Sequence, residues 1–254
     1  MREALRDIQE RLPLNTFAST LLASGDDVPM RLGRNCVGQS RALAGELGKA
    51  GYKPSFISLA RDTGTHYAVV TEEGGNLYFL DPSSLHVEPV NLTKMFREKC
   101  LQVVDSRPAV KGIPSTLYFE PTGKTQFTVS KTIYDGQKTY PTYSYIFDKA
   151  TISTLLPRDD DAYIASRNEG RLTLRVSDGE GGYTVLKQEP NTGVRRLKRA
   201  NAAGIAESTF TLADPDFLEK IQNVAGQLLM SPEDLRAHMD RGITSHGYVT
   251  AMVA

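Results

Sequence analysis

Three residues in the first third of the chain have the side chains of a nucleophile, a general base and an orienting acid. They are Cys36, His66 and Asp81, in that order. A thiolate attacks carbonyl carbons, an imidazole carries the proton, and a carboxylate orients the imidazole and stabilises its charged form. Each residue stands at one end of a predicted element, where side chains from different elements can converge. The pattern predicts a Cys-His-Asp catalytic triad.

The element that begins at the cysteine is predicted to be a helix. Cys36, Leu43 and Leu47 share one face at the helical repeat. Asn35 is a suitable N-cap, and Gly51 can adopt the left-handed conformation that ends a helix. The cysteine then lies in the first turn, beside backbone N–H groups and the positive end of the helix dipole. That position favours the thiolate, which is the reactive form.

The histidine and the aspartate belong to a predicted β-hairpin. Its strands are rich in β-branched, aromatic and aliphatic residues and flank a Glu-Glu-Gly-Gly turn. If Thr71 faces Asn76 across a four-residue loop, His66 lies directly opposite Asp81, with Cβ atoms about 4.5–5.5 Å apart. A two-residue loop of the glycine pair instead places Ala68 opposite the aspartate. We expect the four-residue loop, in which the carboxylate holds one imidazole nitrogen and leaves the other facing the cysteine.

These motifs resemble those of the transglutaminase-like cysteine enzymes and, within them, the arylamine N-acetyltransferases. That family has an Arg-Gly-Gly-X-Cys motif, a Thr-His at a strand start and an aspartate after a short hairpin. This chain has Arg31-Leu32-Gly33-Arg34-Asn35-Cys36, then Thr65-His66, then Asp81. It departs from the family in its broken glycine pair and in the Val-Gly-Gln that follows the cysteine. Asp81-Pro82-Ser83 is more similar to transglutaminases.

The resemblance implies a fold and a pair of substrates. The expected fold class is α+β: a helical lobe with the cysteine at 1–52, an antiparallel β-rich domain with the histidine and aspartate at 53–150, and strands plus helices at 151–254. The implied acyl donor is acetyl-coenzyme A and the implied acceptor is an amine, with no tightly bound cofactor. Because the glycine motif is broken, a carrier-protein thioester or another acyl group stays open as donor.

A basic run in the last third has two interpretations. It contains Arg195 and Arg196, followed by Leu-Lys-Arg. Such runs are usually solvated faces of an element. The alternative is that these two arginines bind the phosphates of coenzyme A or of a phosphopantetheine arm.

Composition narrows the remaining classes. The formal net charge is zero, so bulk electrostatics gives no reason to expect nucleic acid or an anionic membrane as a partner. The N-terminal stretch is a charged amphipathic helix rather than a secretory signal, and Cys36 and Cys100 are the only cysteines. We therefore expect a reducing, cytoplasmic setting without a disulfide framework. His86, His238 and His246 lack neighbours at metal-ligand spacing, so no metal site is expected.

Two other functions fit the same residues. One is a transglutaminase-like or papain-like hydrolase that cleaves an amide or peptide bond. The other is a catalytically inactive member of the fold that acts as a binding module. If thiol release from an acyl thioester accelerates when an amine is added, the transferase is favoured. If thiol labelling gives Cys36 an ordinary pKa, the binding module is favoured.

Overall fold

The protein is an α+β structure with three antiparallel sheets among its described residues, as the sequence predicts. The computed structural model describes residues 1–60, 66–110, 113–134, 139–155, 172–178, 182–190, 192, 194–201, 204–211 and 214–253. Thr65, part of the Thr-His motif in the sequence, lies outside them. The described residues fall into two compact units. Unit 1 comprises Met1–Gln9, Cys36–Arg158 and Asn201–Gly204, and unit 2 comprises Glu10–Asn35, Asp159–Ala200 and Ile205–Ala254.

Unit 1 contains two four-stranded sheets with sequential strand order. The first consists of β2 (Ser55–Ser58), β3 (Tyr67–Glu73), β4 (Asn76–Leu80) and β5 (Val90–Asn91). The second consists of β6 (Gln102–Val110), β7 (Ile113–Pro121), β8 (Gln126–Tyr134) and β9 (Thr139–Asp148). The helices are most of α1 (Arg2–Arg11), α3 (Cys36–Lys49) and α4 (Leu92–Glu98).

Aromatic side chains from both sheets form one core in unit 1. The ring of Phe79 on β4 contacts Phe119, Phe127 and Phe147 edge-on, with centroids 5.0–5.6 Å apart. All four rings are fully buried. Edge-to-face pairs at this spacing stabilise a core beyond their buried area. The core therefore fixes β4, which leads to Asp81, against β9.

The β3–β4 hairpin has a different register from the one expected. Glu73 pairs with Asn76 and Val69 pairs with Leu80, so the loop is the two-residue glycine pair and the four-residue prediction is wrong. Both glycines have positive φ, 58° and 75°. A type I′ turn requires this at its two central positions, and it matches the twist of the flanking strands. The two candidate registers differ by two residues and therefore keep every side chain on the same face of the sheet.

Unit 2 contains the third sheet, in the order β1-β10-β11-β12-β13. Its strands are β1 (Leu14–Asn15), β10 (Leu172–Ser177), β11 (Tyr183–Gln188), β12 (Arg195–Asn201) and β13 (Gly204–Phe210). The helices α2 (Thr16–Ala23), α5 (Asp216–Gln227) and α6 (Pro232–Val253) complete the unit. The Ser231 hydroxyl oxygen caps α6 by accepting a hydrogen bond from the backbone N–H of Asp234 at 3.0 Å.

The two units do not follow the three sequence ranges. The helix α3 packs on β3 in unit 1, whereas α2 packs on α6 in unit 2. Residues 1–52 are thus shared between units, because each helix buries its apolar face against a different partner. The mostly apolar segment from Leu85 to Val90 predicts a strand, but only Val90 lies in one, because Leu85 adopts a left-handed conformation with φ 64°. Among the described residues, none of the helices is both long enough and apolar enough to span a membrane.

Candidate active site

Cys36 occupies the N-terminal turn of α3. It is the first helical residue, is half-buried and forms no disulfide. One turn further, the buried Ser40 hydroxyl donates a hydrogen bond to the carbonyl of Tyr67 at 2.8 Å. Because Tyr67 directly follows His66, this bond joins the helical turn that carries the thiol to the strand end that carries the imidazole.

His66 contacts both other residues of the predicted triad. It lies directly before β3, and its side chain is 12% exposed. Its Nε2 is 2.8 Å from Oδ2 of Asp81. The Cys36 thiol interacts with the same imidazole through a hydrogen bond and through charge. The three side chains therefore meet, although the directly opposed register that was expected to bring two of them together is not formed.

The two-residue hairpin loop still permits the contact between imidazole and carboxylate. Extending its register beyond the last pair places Ala68, not His66, opposite Asp81. His66 is two residues further along on the same face, which makes it a diagonal neighbour of the aspartate. Diagonal Cβ atoms are about 7–8 Å apart, a separation that long side chains can bridge.

Asp81 is held at every polar atom of its carboxylate. It ends β4 and is 1% exposed. Its Oδ1 accepts hydrogen bonds from the backbone N–H of Ser83 at 2.9 Å and from the Ser83 hydroxyl at 2.7 Å. Its Oδ2 remains directed at His66. The 3₁₀ turn Pro82–Ser84 that supplies the serine packs against α3. The carboxylate thus has a single orientation.

The two charges of this pair stabilise each other. Burial alone raises the pKa of Asp81, but the charge and hydrogen bond of His66 and the bond from Ser83 reverse this and lower it to about 2. Burial likewise lowers the pKa of His66, but Asp81 and Cys36 outweigh it and raise that pKa well above its usual value. At neutral pH the site therefore favours an imidazolium paired with the aspartate.

Aromatic rings form a wall beside the imidazole. The ring of Tyr145 stacks on His66 with centroids 4.8 Å apart, and Tyr143 stacks on Tyr145 at the same distance. Phe147 contacts the imidazole edge-on at 5.8 Å. Burial raises the pKa of Tyr145, the charge of His66 opposes this, and the charges of Asp81 and Cys36 add to it. The wall limits access of water to His66 and keeps its ring in one plane.

The two predicted phosphate-binding arginines have different surroundings in unit 2. Arg195 is 1% exposed, bonds Asp240 through Nη2 and Gln188 through Nε, and lies over the ring of Phe217. Its neighbour Arg196 is exposed and pairs with two glutamates. The expected solvated face therefore holds for Arg196 but not for Arg195. The geometry of Arg195 gives no support to phosphate binding, and that role stays a prediction.

In the part of the chain that the structure describes, the other cysteine and histidine residues do not form a second reactive or metal-binding site. No three His, Cys, Asp or Glu side chains among those residues are grouped so as to hold a metal ion. Cys100 is a free thiol whose sulfur accepts a hydrogen bond from Gln102 at 3.1 Å. His238 is buried in unit 2 and accepts a hydrogen bond from the Asn15 amide at 3.2 Å.

Sequence reasoning missed four residues of the site: Ser40, Ser83, His86 and Tyr145. A sequence signal exists for two of them. Ser40 is four residues after Cys36, and the helical repeat places it above the thiol. His86 is close to Asp81 in the sequence but was weighed only as a metal ligand. No local pattern identifies Tyr145, because its contact depends on the pairing of two sheets.

Comparison with known proteins adds no relative. No protein-family model matches the chain, and no curated protein sequence matches it with significant similarity. The resemblance to arylamine N-acetyltransferases therefore depends on the residues and their arrangement alone.

Proposed function

We propose that the protein is a cysteine-dependent acyltransferase that moves an acyl group from a thioester to an amine through an acyl-cysteine. One observation carries the proposal: His66 interacts with Cys36 and with Asp81 at the same time. A base shared between a thiol and an orienting carboxylate is the arrangement that nucleophilic acyl transfer needs. The position of the thiol in the first turn of a helix favours the same chemistry.

In the first half-reaction the thiolate of Cys36 attacks the carbonyl carbon of the thioester. The tetrahedral oxyanion collapses, the bond to the donor sulfur breaks, and the leaving thiolate takes a proton from the imidazolium of His66. Because Nε2 of the ring is bonded to Asp81, Nδ1 is the nitrogen that exchanges this proton. Amides of the first turn of α3 are the proposed oxyanion donors, and one such donor contributes about 10²–10³ in rate.

In the second half-reaction an amine resolves the acyl-cysteine. The amine nitrogen attacks the thioester carbonyl, and the neutral imidazole of His66 accepts the proton that the nitrogen loses. The Cys36 thiolate departs and the amide product forms. Imidazolium and thiolate are then restored, so no external acid, base or oxidant is consumed.

As part of the same proposal, we place the chain with the arylamine N-acetyltransferase-like branch of the transglutaminase-like enzymes. Support comes from the element order: cysteine at a helix start, histidine at a strand start and aspartate at the end of the next strand. The proposed donor is acetyl-coenzyme A or another acyl thioester, including one on a carrier protein, and the acceptor is a small amine. The cytoplasmic setting also stays a prediction.

The test measures thiol release from a panel of acyl-coenzyme A thioesters. We expect release of one thiol per chain, followed by turnover that accelerates as an amine is added. Cys36→Ala removes both phases, whereas the matched variant Cys100→Ala retains them. Near-normal turnover by a folded Cys36→Ala variant contradicts the proposal.

The same assay distinguishes the two alternatives. Turnover that does not respond to amine, or cleavage of peptides without any reaction on thioesters, favours a hydrolase. A Cys36 that reacts with alkylating reagents no faster than Cys100 favours a binding module, because a catalytic thiol is activated and a structural one is not.

A further inference from the structure

The loop that follows Asp81 is held by buried polar groups from several elements. The ammonium group of Lys131 on β8 donates to the carbonyl of Ser84 at 3.1 Å, and the hydroxyl of Ser106 on β6 donates to it at 3.3 Å. The backbone N–H of Arg107 donates to the carbonyl of Leu85 at 3.0 Å. Leu85 has φ 64°, a conformation that costs a non-glycine residue about 1–2 kcal/mol. These contacts hold the loop in a shape that it does not prefer by itself.

His86 stands at the centre of this loop and is fully buried. Its Nε2 accepts a hydrogen bond from the backbone N–H of Asp81 at 2.8 Å. Its Nδ1 donates to the carbonyl of Glu88 at 2.6 Å. A backbone N–H only donates and a carbonyl only accepts, so the proton must be on Nδ1 and the ring is neutral. Protonation of Nε2 would replace the acceptor that Asp81 needs with a second donor.

The surroundings of this ring keep it neutral. Burial lowers the pKa of His86, the Asp81 carboxylate and the hydrogen bond to Glu88 act in the opposite direction, and the Lys131 ammonium group adds to the effect of burial. The rings of Phe79 and Phe119 lie 6.0 Å from it. The imidazole therefore links the backbone of residue 81 to that of residue 88 through two hydrogen bonds.

We propose that His86 is a positioning residue of the active site, whose neutral imidazole holds the Asp81 backbone so that the carboxylate is aimed at His66. This inference rests on the proposed function. The side chain of Asp81 is fixed by Ser83 and its backbone by His86, so the two contacts together determine where Oδ2 lies. Loss of the backbone contact weakens the bond between carboxylate and imidazole and thereby the activation of Cys36.

The test compares two replacements of His86 by the pH dependence of Cys36 alkylation with iodoacetamide. His86→Gln keeps one acceptor and one donor, and we expect its profile to stay within about threefold of wild type. His86→Met fills the space without an acceptor. We expect its rate at neutral pH to fall about 10- to 100-fold and its pH profile to shift, since small misplacements of a catalytic group have effects of this size. The matched control is His238→Met, another buried histidine, with an unchanged profile.

A wild-type measurement covers the case in which His86→Met does not fold. Imidazole ¹⁵N shifts of His86 should report the neutral Nδ1–H tautomer at neutral pH. A charged ring or the Nε2–H tautomer overturns the proposal. So does a wild-type profile in a folded His86→Met variant whose Cys36 is reactive. A wild-type Cys36 no more reactive than Cys100 overturns the proposed function instead, and this inference with it.

Discussion

Each unit contains an ion pair with one deeply buried member, and the two pairs have different properties. In unit 1 the buried member is Asp81, whose side chain is 2% exposed, and the side chain of its partner His66 is 12% exposed. In unit 2 the buried member is Arg195, 1% exposed, and its partner Asp240 is 47% exposed. His66 can gain and lose a proton and also contacts Cys36. Arg195 stays charged in proteins and contacts Gln188 and the ring of Phe217.

The comparison shows why a buried charge is weak evidence for an active site by itself. Both pairs satisfy the rule that buried charges are paired and hydrogen-bonded. Only the pair in unit 1 joins a titratable base to a nucleophile. We therefore interpret the pair of unit 1 as catalytic and that of unit 2 as structural. The following predictions test this assignment, from the largest expected effect to the smallest.

The largest effect is expected from removal of the base. His66→Ala should lower the rate of acyl transfer by about 10²–10⁴, the usual contribution of a general base. The measurement is turnover with a saturating thioester and amine, and circular dichroism verifies the fold. The matched variant in the other unit, Asp240→Asn, should keep the wild-type rate per folded molecule. Equal losses in both variants contradict the assignment.

A pH titration separates the histidines of the two units. Burial and the charge of Arg241 lower the pKa of His238 from 6.5 to about 4. Its contribution to stability is therefore present above pH 6.5 and lost as the pH falls towards 4, by about 2–4 kcal/mol. Because the pKa of His66 is raised, its contribution to stability depends on pH in the opposite direction. This contribution is present below pH 6.5 and is lost as the pH rises through that raised pKa. Urea unfolding at several pH values compares the wild type with His238→Gln and with His66→Gln. The difference in unfolding free energy gives the contribution of each histidine. If both contributions change with pH in the same direction, this account is contradicted.

Replacement of Asp240 in unit 2 should reduce the stability of the protein and leave the reactivity of Cys36 unchanged. Asp240→Asn leaves the buried Arg195 guanidinium with a neutral partner. The expected loss is about 1–3 kcal/mol of unfolding free energy, moderated because Asp240 is half exposed to water. Urea denaturation measures this loss. A fall in Cys36 alkylation rate in the folded variant would count against a purely structural role.

A smaller effect is expected from the bond between α3 and β3. Ser40→Ala removes the donor to the Tyr67 carbonyl, which costs about 1 kcal/mol. The Cys36 alkylation rate should fall by less than in His66→Ala, because only the alignment of thiol and imidazole changes. The variant Ser19→Ala, also buried but in unit 2, is the control. If Ser40→Ala and Ser19→Ala have the same alkylation rate, the bond has no positioning role.

The sequence predicted which residues meet better than how they meet. The helix of Cys36 and the strands on either side of the glycine pair follow from periodicity and turn residues. The predicted loop length was wrong because the sequence Glu-Glu-Gly-Gly is compatible with two loops. Either all four residues form the loop, or the glycine pair alone forms it and the glutamates extend the strand. The two registers differ by an even number of residues, so His66 and Asp81 lie on the same face of the sheet in either case. Their contact was thus robust to the error.

The remaining features depend on distant packing. The strand predicted from Leu85 to Val90 is wrong except for Val90, although most residues of this segment are apolar. Its actual shape depends on Lys131 and Ser106, which come from strands of the other sheet. Arg195 was expected on a surface because charged residues usually are, and its burial depends on a partner 45 residues away. Local sequence patterns contain no information on such contacts.

The most direct test of the central claim is peptide mapping after exposure of the intact protein to acyl thioesters. We predict an acyl adduct on the peptide that contains Cys36, none on the peptide that contains Cys100, and loss of the adduct when an amine is added. An adduct shared equally by both cysteines, or its absence from Cys36 with every thioester tried, would contradict the account.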